Sequence, residues 1–214
     1  MLFSDRSEAG ERLAARLEIY RGREPLILAV PRGGVVVAGP IHEAIGGELD
    51  LIITRKIGAP HQRELAIGAT SGDGFIMLND ELISRIGIFP DYIKKAAAKE
   101  QAEIARRLKL YRGERSLPQI EGRLVIVVDD GVATGYTMLA ALRSLREQKP
   151  AELALAVPVG PPETFDRLKN EVEALVYLEA PVDFAAVGQF YRSFDQVSDD
   201  QVVAILKKTW KTEK

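Results

Sequence analysis

Residues 125–137 read Val125-Ile126-Val127-Val128-Asp129-Asp130-Gly131-Val132-Ala133-Thr134-Gly135-Tyr136-Thr137, and this stretch decides the fold. Its four β-branched residues predict a buried strand that ends at two adjacent carboxylates. A loop of small and hydroxyl-bearing residues follows, and a helical pattern of apolar residues starts at Met138. The order of strand, acidic turn, loop and helix start is typical of an α/β protein.

The loop and the two acids together indicate a ligand. The start of a helix presents N–H groups without intrahelical partners, and glycines let a phosphate approach the backbone closely. Two carboxylates beside a phosphate would repel it unless they bind sugar hydroxyls or a metal ion. We therefore interpret the segment as a sugar-phosphate site, in which Thr134 to Thr137 hold the phosphate and Asp129 and Asp130 the ribose. No Gly-Lys-Ser/Thr follows the glycines, which excludes a Walker-type nucleotide loop.

This stretch resembles the phosphoribosyl pyrophosphate (PRPP) motif of type I phosphoribosyltransferases. That motif is an apolar strand, two acids, two variable residues, a small residue and Thr-Gly-x-Thr, and it covers thirteen consecutive positions here. The resemblance implies a loop for the 5-phosphate of PRPP, made of Gly131, Val132, Ala133, Thr134, Gly135, Tyr136 and Thr137. Over its whole length the chain is similar to a bacterial group of phosphoribosyltransferase-like proteins, which share this motif, Pro-Arg-Gly-Gly, a basic strand end and a Val-Gly-x-Phe-Tyr segment.

Composition excludes several other classes of protein. The chain has 214 residues, 46% of them apolar, which is enough for a substantial core. Its net charge of −2 provides no basic field, so we expect no nucleic-acid partner. It has no cysteines, which excludes disulfides, thiol catalysis and thiolate metal sites. No stretch approaches the ~18 consecutive apolar residues of a membrane span, so we expect a cytoplasmic protein with no membrane partner.

The pattern along the chain predicts strands that alternate with helices. The predicted strands are 26–30, 49–54, 65–70, 75–78, 125–128, 152–157 and 174–178, with a hairpin joining the third and fourth. Helices are predicted after Ser4 or Asp5, over 35–45, over 91–112, after Thr137, after Pro162 and from about Ser198, and Pro40 should kink the second or delay its start. The expected fold is α/β: one domain over 1–214 with a single doubly wound, mostly parallel sheet. We assign 61–122 to a loop, hairpin and helix insertion, and 180–197 to a small C-terminal hood.

Two further loops follow predicted strands and should lie at the same edge of the sheet. Pro31-Arg32-Gly33-Gly34 can expose N–H groups and add a guanidinium, and it looks like the pyrophosphate loop of type I transferases. Arg55 and Lys56 follow the next strand, where relatives often place a basic residue near the pyrophosphate, and the sequence does not separate the two. His61, Gln62, Arg63 and Glu64 fall where the family has a mobile loop that closes over PRPP.

The resemblance implies displacement of Mg²⁺-bound pyrophosphate from C1 of the ribose by a nitrogenous base. Asp129, Asp130, Arg32 and Lys56 are then the catalytic candidates, and Mg²⁺ is bound through PRPP, with the two acids as candidate ligands. Ala133 stands where hypoxanthine–guanine enzymes typically carry an acid, which argues against such an oxopurine acceptor. The acceptor residues predicted in the hood are Asp183, Phe184, Phe190 and Tyr191, because aromatic faces suit a flat heterocycle. We also expect a homodimer.

Two other functions compete with phosphoribosyl transfer. One is a regulatory protein that binds PRPP or a nucleotide without turnover, but such relatives need a nucleic-acid surface, and the chain has no winged-helix segment and no strongly basic balance. The other is PRPP synthesis, whose enzymes carry a related signature in two domains. Only one such signature occurs here, so an enzyme that transfers the phosphoribosyl group is the favoured hypothesis.

Overall fold

The computed structural model describes residues 2–212, without the side chains at 63, 64, 211 and 212. The strands are β1 (Leu26–Ala29), β2 (Glu48–Leu51), β3 (Thr54–Ala59), β4 (Gln62–Ser71), β5 (Ile76–Leu78), β6 (Leu124–Val128), β7 (Glu152–Val159) and β8 (Ala174–Glu179). The α-helices are α1 (Arg6–Arg16), α2 (Gly33–Ile45), α3 (Asp80–Ile86), α4 (Pro90–Arg112), α5 (Tyr136–Glu147), α6 (Pro162–Leu168) and α7 (Asp199–Thr212). Short 3₁₀ turns cover Glu18–Tyr20, Lys169–Glu171 and Val187–Phe190.

The main sheet has five parallel strands in the order β2-β1-β6-β7-β8. Its central strands are apolar at every position because both faces are covered. Alternate residues of β1, β6 and β7 pack on one face against α1, α2 and α7, and the remaining ones pack on the other face against α5 and α6. The predicted doubly wound α/β fold is therefore confirmed.

A second, three-stranded antiparallel sheet of β3, β4 and β5 stands apart from the main sheet. It contains the predicted hairpin, but it also contains Arg55 to Ala59, which we predicted to be a loop after the second strand. The chain leaves the main sheet after Leu51, because β3 pairs with β4 rather than with a parallel neighbour. Ile52 and Ile53 continue the apolar run, so the sequence gives no sign of this exit. The inserted unit accordingly starts at Thr54 rather than at residue 61.

The segment predicted as a mobile loop is the tip of a hairpin. Pro60 and His61 form a tight turn, and β4 already begins at Gln62. The side chains of Arg63 and Glu64 lie outside the described part of the chain. Helix α3, capped by the side chain of Asn79, was not predicted from the sequence. Helix α2 starts earlier than predicted and contains Pro40.

Helix α4 connects the second sheet to the main sheet. Ala97 of α4 packs against Ile57 and Ile67 of the second sheet. At the other end of the helix, Arg112 donates to Asp50 Oδ1 at 2.6 Å and to the carbonyl of Leu51 at 2.7 Å. None of the helices in the described range is long and apolar enough to span a membrane.

Candidate active site

The fold brings the two predicted phosphate loops into contact. Strands β1 and β6 are parallel neighbours in which Ala29 pairs with Val128, so the loops that follow them leave the sheet side by side. A methyl group at Gly33 would lie 1.9 Å from Asp130 Oδ2, and one at Gly34 would lie 2.7 Å from the Val128 carbonyl oxygen. Glycine at both positions therefore allows the loop of residues 31–34 to pack directly on the acidic turn. The peptide bond between Pro31 and Arg32 is cis.

Each carboxylate of the acidic turn has one oxygen anchored and one open. Asp129 Oδ1 accepts the backbone N–H of Asp130 at 2.8 Å, and Asp130 Oδ2 accepts Arg6 Nε at 2.7 Å. The two remaining oxygens, Asp129 Oδ2 and Asp130 Oδ1, are not among the fully buried polar atoms that lack a partner. The two carboxyl groups also lie within hydrogen-bonding reach of each other, which contributes to a raised pKa of Asp129. The turn thus presents two oriented acceptor oxygens, which is what a pair of vicinal sugar hydroxyls requires.

Burial raises the pKa of the Asp129 carboxyl well above its usual range, and the adjacent charge of Asp130 raises this pKa further. The backbone N–H of Asp130 and the guanidinium of Arg6 lower the pKa of Asp129, but by less than the other effects raise it. Ionising Asp129 therefore costs more free energy than ionising an exposed aspartate. A bound cation or a set of donor hydroxyls would offset that cost.

Arg6 is a site residue that the sequence analysis missed. It is the first residue of α1, and only 11% of its side chain is exposed. Besides Asp130, its guanidinium donates to the carbonyl of Asp195 at 2.9 Å and lies 3.8 Å from the ring centroid of Phe194. An arginine at the start of an amphipathic helix carries no local sign of such contacts, since its partners lie 124 and 189 residues away.

The loop of residues 131–137 is held by three donors from two other elements, α6 and β3. The Thr164 hydroxyl donates to the Ala133 carbonyl at 2.7 Å, Arg167 to the Thr134 carbonyl at 3.0 Å, and the Thr54 hydroxyl to the Thr137 carbonyl at 3.1 Å. Because these carbonyl groups are bonded on the protein side of the loop, its N–H groups are free to face solvent.

The start of α5 provides those outward N–H groups. Gly135 has a positive φ of 71° and precedes the helix, whose first intrahelical bond runs from Leu139 N to the Gly135 carbonyl at 2.8 Å. The N–H groups of the preceding residues have no intrahelical acceptor. Thr134, Tyr136 and Thr137 are exposed, so this loop can receive a phosphate group.

Comparison with known proteins agrees with this geometry. The sequence model of the phosphoribosyl transferase domain matches residues 6–185, which include both loops and the acidic turn. The chain belongs to the phosphoribosyl transferase domain family. It is 39% identical over 207 residues to proteins of Mycobacterium tuberculosis strains H37Rv and CDC 1551 that carry the name "putative phosphoribosyl transferase". The match covers 97% of this chain but 47% of those relatives, so the chain spans about half of their length.

Solved structures support the same fold. The crystal structure of TT1426 from Thermus thermophilus has a TM-score of 0.84 and 40% sequence identity, and the match covers 97% of this chain and 99% of that one. A hypoxanthine phosphoribosyltransferase from Staphylococcus aureus has a TM-score of 0.51 at 15% identity, covering 86% of this chain and 77% of that one. At that identity the likeness shows the fold of the domain and nothing about its acceptor.

The predicted pyrophosphate residues occupy three different surroundings in this phosphoribosyl transferase domain. Arg32 lies on the loop beside the acidic turn, with its Nη1 3.8 Å from Asp199 Oδ1. Arg55 forms an ion pair with Glu100 of α4, so its guanidinium points toward that helix rather than toward the loop of residues 31–34. Lys56 lies on the opposite face of β3 from Arg55, because side chains alternate along a strand.

The predicted acceptor residues of the hood also divide. Phe190 and Tyr191 are 9% and 5% exposed and pack with Phe3 in a small apolar cluster. The Tyr191 hydroxyl donates to the carbonyl of Asp130 at 2.6 Å, and burial raises the pKa of this tyrosine. Tyr191 therefore supports the acidic turn through its hydroxyl group. The burial of both rings argues against our assignment of Phe190 and Tyr191 to the acceptor base. Spacing could not reveal this, because a buried ring and a stacking ring have the same sequence signature.

Asp183 and Phe184 remain at the surface of the hood. Asp183 is exposed, and Phe184 is half-buried with its ring stacked on Phe190 at 5.5 Å between centroids. The side-chain amide of Gln189 donates to the Asp183 carbonyl at 2.9 Å and its oxygen accepts the N–H groups of Ala185 and Ala186, which fixes the hood loop.

The donor set for a divalent cation is small. No group of three or more His, Asp or Glu side chains that could enclose a metal ion occurs among the described residues. Two adjacent carboxylates with one open oxygen each nevertheless fit Mg²⁺, which binds proteins through one or two carboxylates and completes its shell with water and substrate phosphates. Asp129 and Asp130 could thus hold Mg²⁺, either directly or through the water molecules of its shell.

Proposed function

We propose that this domain transfers the 5-phosphoribosyl group from PRPP to a nitrogenous heterocycle and releases pyrophosphate. The observation that carries the proposal is the acidic turn, which presents two open carboxylate oxygens between two loops that can each bind a phosphate. PRPP has this sequence of groups, since its ribose joins a 5-phosphate to a pyrophosphate at C1. All three proposed subsites lie at the carboxyl ends of β1 and β6.

Each subsite has residues of suitable chemistry. The loop of residues 131–137 binds the 5-phosphate through the N–H groups at the start of α5 and the hydroxyls of Thr134 and Thr137. The loop of residues 31–34 binds the pyrophosphate through the backbone N–H groups of Arg32 and Gly33 and through the Arg32 guanidinium, because the Gly34 N–H already donates to the Val30 carbonyl. Lys56 is our further candidate for the pyrophosphate. It shares a strand face with Thr54, whose side chain already contacts the 5-phosphate loop, and two residues of strand span only ~7 Å.

The reaction needs positioning and charge rather than a covalent intermediate. Asp129 and Asp130 orient the ribose hydroxyls and stabilise positive charge that develops on the ring as the bond to pyrophosphate breaks. Arg32 and Lys56 stabilise the negative charge of the departing pyrophosphate. Mg²⁺, when bound, supplies Lewis-acid stabilisation of the same leaving group. The partly buried surroundings of the turn strengthen each of these interactions.

For the acceptor we propose a flat heterocycle other than hypoxanthine or guanine. Ala133 offers no acid to exchange a proton with the base. In the hood, the half-buried ring of Phe184 can stack on a heterocycle and the exposed Asp183 can accept from a ring N–H. The homodimer and the cytoplasmic location stay predictions.

One observation favours the second candidate, a domain that binds PRPP without turnover. Arg6 already neutralises Asp130 in this structure, which reduces the negative charge that the turn can offer to a cationic sugar. Binding of PRPP to the two phosphate loops would be unaffected by that neutralisation.

Two measurements test the proposal and separate the two candidates. Calorimetry with PRPP, with and without Mg²⁺, reports binding, and no detectable binding at millimolar PRPP would exclude both candidates. Pyrophosphate release across a panel of purine, pyrimidine and smaller nitrogen heterocycles reports turnover. Binding without release from any base would favour the regulatory domain, and hypoxanthine or guanine as the best acceptor would contradict the argument from Ala133.

A further inference from the structure

The guanidinium of Arg6 is held on three sides at the junction of the proposed ribose and pyrophosphate subsites. It donates to Asp130 Oδ2 at 2.7 Å and to the Asp195 carbonyl at 2.9 Å, and the Phe194 ring centroid lies 3.8 Å from it. Its Nε is also 2.8 Å from the position that a methyl group at Gly33 would take. So many contacts on a largely buried arginine fix its orientation, because the planar guanidinium loses little further freedom once stacked and bonded.

The contact with Arg6 engages Oδ2 of Asp130, so Oδ1 is the oxygen of that carboxylate that remains for a ligand. A carboxylate without the arginine could rotate about its terminal bond, since this torsion is broad and roughly two-fold. With Oδ2 anchored, the orientation of Asp130 Oδ1 is fixed. The orientation of Asp129 Oδ2 is fixed in the same way, because Asp129 Oδ1 accepts the Asp130 N–H. The two open oxygens are therefore preorganised as a pair.

We propose that Arg6 is a positioning residue of the ribose subsite, which fixes the Asp130 carboxylate so that its open oxygen receives a ribose hydroxyl. This inference rests on the proposed function, since it assumes that the acidic turn binds ribose. The contacts of Arg6 described above include neither the 5-phosphate loop nor any residue that we assign to the acceptor. Its effect should thus be confined to ligands that carry ribose hydroxyls.

The test compares two sugar phosphates that differ only in those hydroxyls. Calorimetry with ribose 5-phosphate and with 2,3-dideoxyribose 5-phosphate gives the ratio of their dissociation constants for each variant. Wild-type protein should prefer ribose 5-phosphate, and Arg6→Gln should reduce that preference about tenfold, the range of one hydrogen bond to a charged group. Arg6→Lys, which keeps the charge and one donor, should retain an intermediate preference. Arg16→Gln, at the exposed opposite end of the same helix, should match the wild type.

Three outcomes would overturn the inference. Equal loss of affinity for both ligands in Arg6→Gln would make Arg6 a structural residue only. Tighter binding of ribose 5-phosphate in Arg6→Gln would mean that Arg6 occupies the subsite and competes with the sugar. If the wild type bound PRPP but did not distinguish the two sugar phosphates, the acidic turn would have no ribose role, although phosphate binding would survive. A wild type that binds neither PRPP nor either sugar phosphate would instead remove the proposed function as well.

Discussion

Gly33→Ala is the sharpest perturbation that the structure offers, because it inserts one carbon between the two loops. The new Cβ would lie 1.9 Å from Asp130 Oδ2 and 2.5 Å from Asp130 Cγ, whereas ordinary contacts begin at 3.4 Å. To restore an ordinary contact, the Asp130 carboxylate must move away by about 1.5 Å. We expect this side chain to move rather than the backbone of the loop, which follows directly from a strand of the main sheet. Gly33 does not have a positive φ, so alanine itself fits the backbone.

The expected loss follows from that displacement. A shift of about 1 Å at a reacting group can lower a rate about 100-fold, and loss of one hydrogen bond to a charged group costs about 1.5–3 kcal/mol. We therefore expect Gly33→Ala to weaken Mg²⁺–PRPP binding at least about tenfold, measured by calorimetry, and to reduce any pyrophosphate release by about 100-fold or more. The melting temperature should fall modestly, because the clash involves the side chains of Asp130 and Arg6 rather than backbone atoms, but relieving it disturbs their ion pair.

Gly39→Ala provides the matched control on the same helix. A methyl group there would meet only Ile205 Cγ2, at 3.8 Å. Alanine in a helix interior stabilises by about 0.5–1 kcal/mol relative to glycine, so this variant should melt slightly higher and bind PRPP as the wild type does. If Gly33→Ala bound PRPP as tightly as Gly39→Ala, direct packing of the 31–34 loop on the acidic turn would be unnecessary, and the assembly of the site described above would be wrong.

Three other predictions concern individual contacts. Asp129→Asn should raise the melting temperature at pH 8 in the presence of a chelator. The pKa of Asp129 is raised in the folded protein, so the wild type loses stability as pH rises through that pKa, whereas the asparagine variant does not. The difference in melting temperature should therefore shrink toward pH 4, and a difference independent of pH would contradict the raised pKa of Asp129. Arg112→Ala should lower the free energy of unfolding, measured by urea denaturation, by about 3–5 kcal/mol, because it leaves the fully buried Asp50 without its ion-pair partner. A loss below about 1 kcal/mol would show that water replaces the arginine. Lys56→Gln should weaken Mg²⁺–PRPP binding several-fold while Arg55→Gln changes it little, since Arg55 points to α4; the reverse order would exchange their roles.

Local sequence was sufficient for the parts of the site that are contiguous in the chain. Strand β6, the acidic turn, the phosphate loop and the start of α5 fall within one short continuous stretch, and each follows from propensity and from the φ that glycine permits. The parallel sheet also follows, because strands that are apolar at every position must be covered on both faces. Register then places the 31–34 loop beside the turn, as expected from two strands that end in glycine-rich loops.

Only tertiary structure decided which distant residues complete the site. Arg6 reaches Asp130 across 124 residues, and nothing near Arg6 distinguishes it from other helix-surface arginines. Tyr191 and Phe190 are buried because Phe3 packs on them, although their spacing equally suits a stacking surface. Chain exit between Leu51 and Thr54 depends on pairing with β4, which the apolar run through Ile53 conceals. In each case the deciding interaction joins segments that are far apart in the chain. Hydrophobic periodicity and turn residues report only on neighbouring positions, so they cannot predict such an interaction.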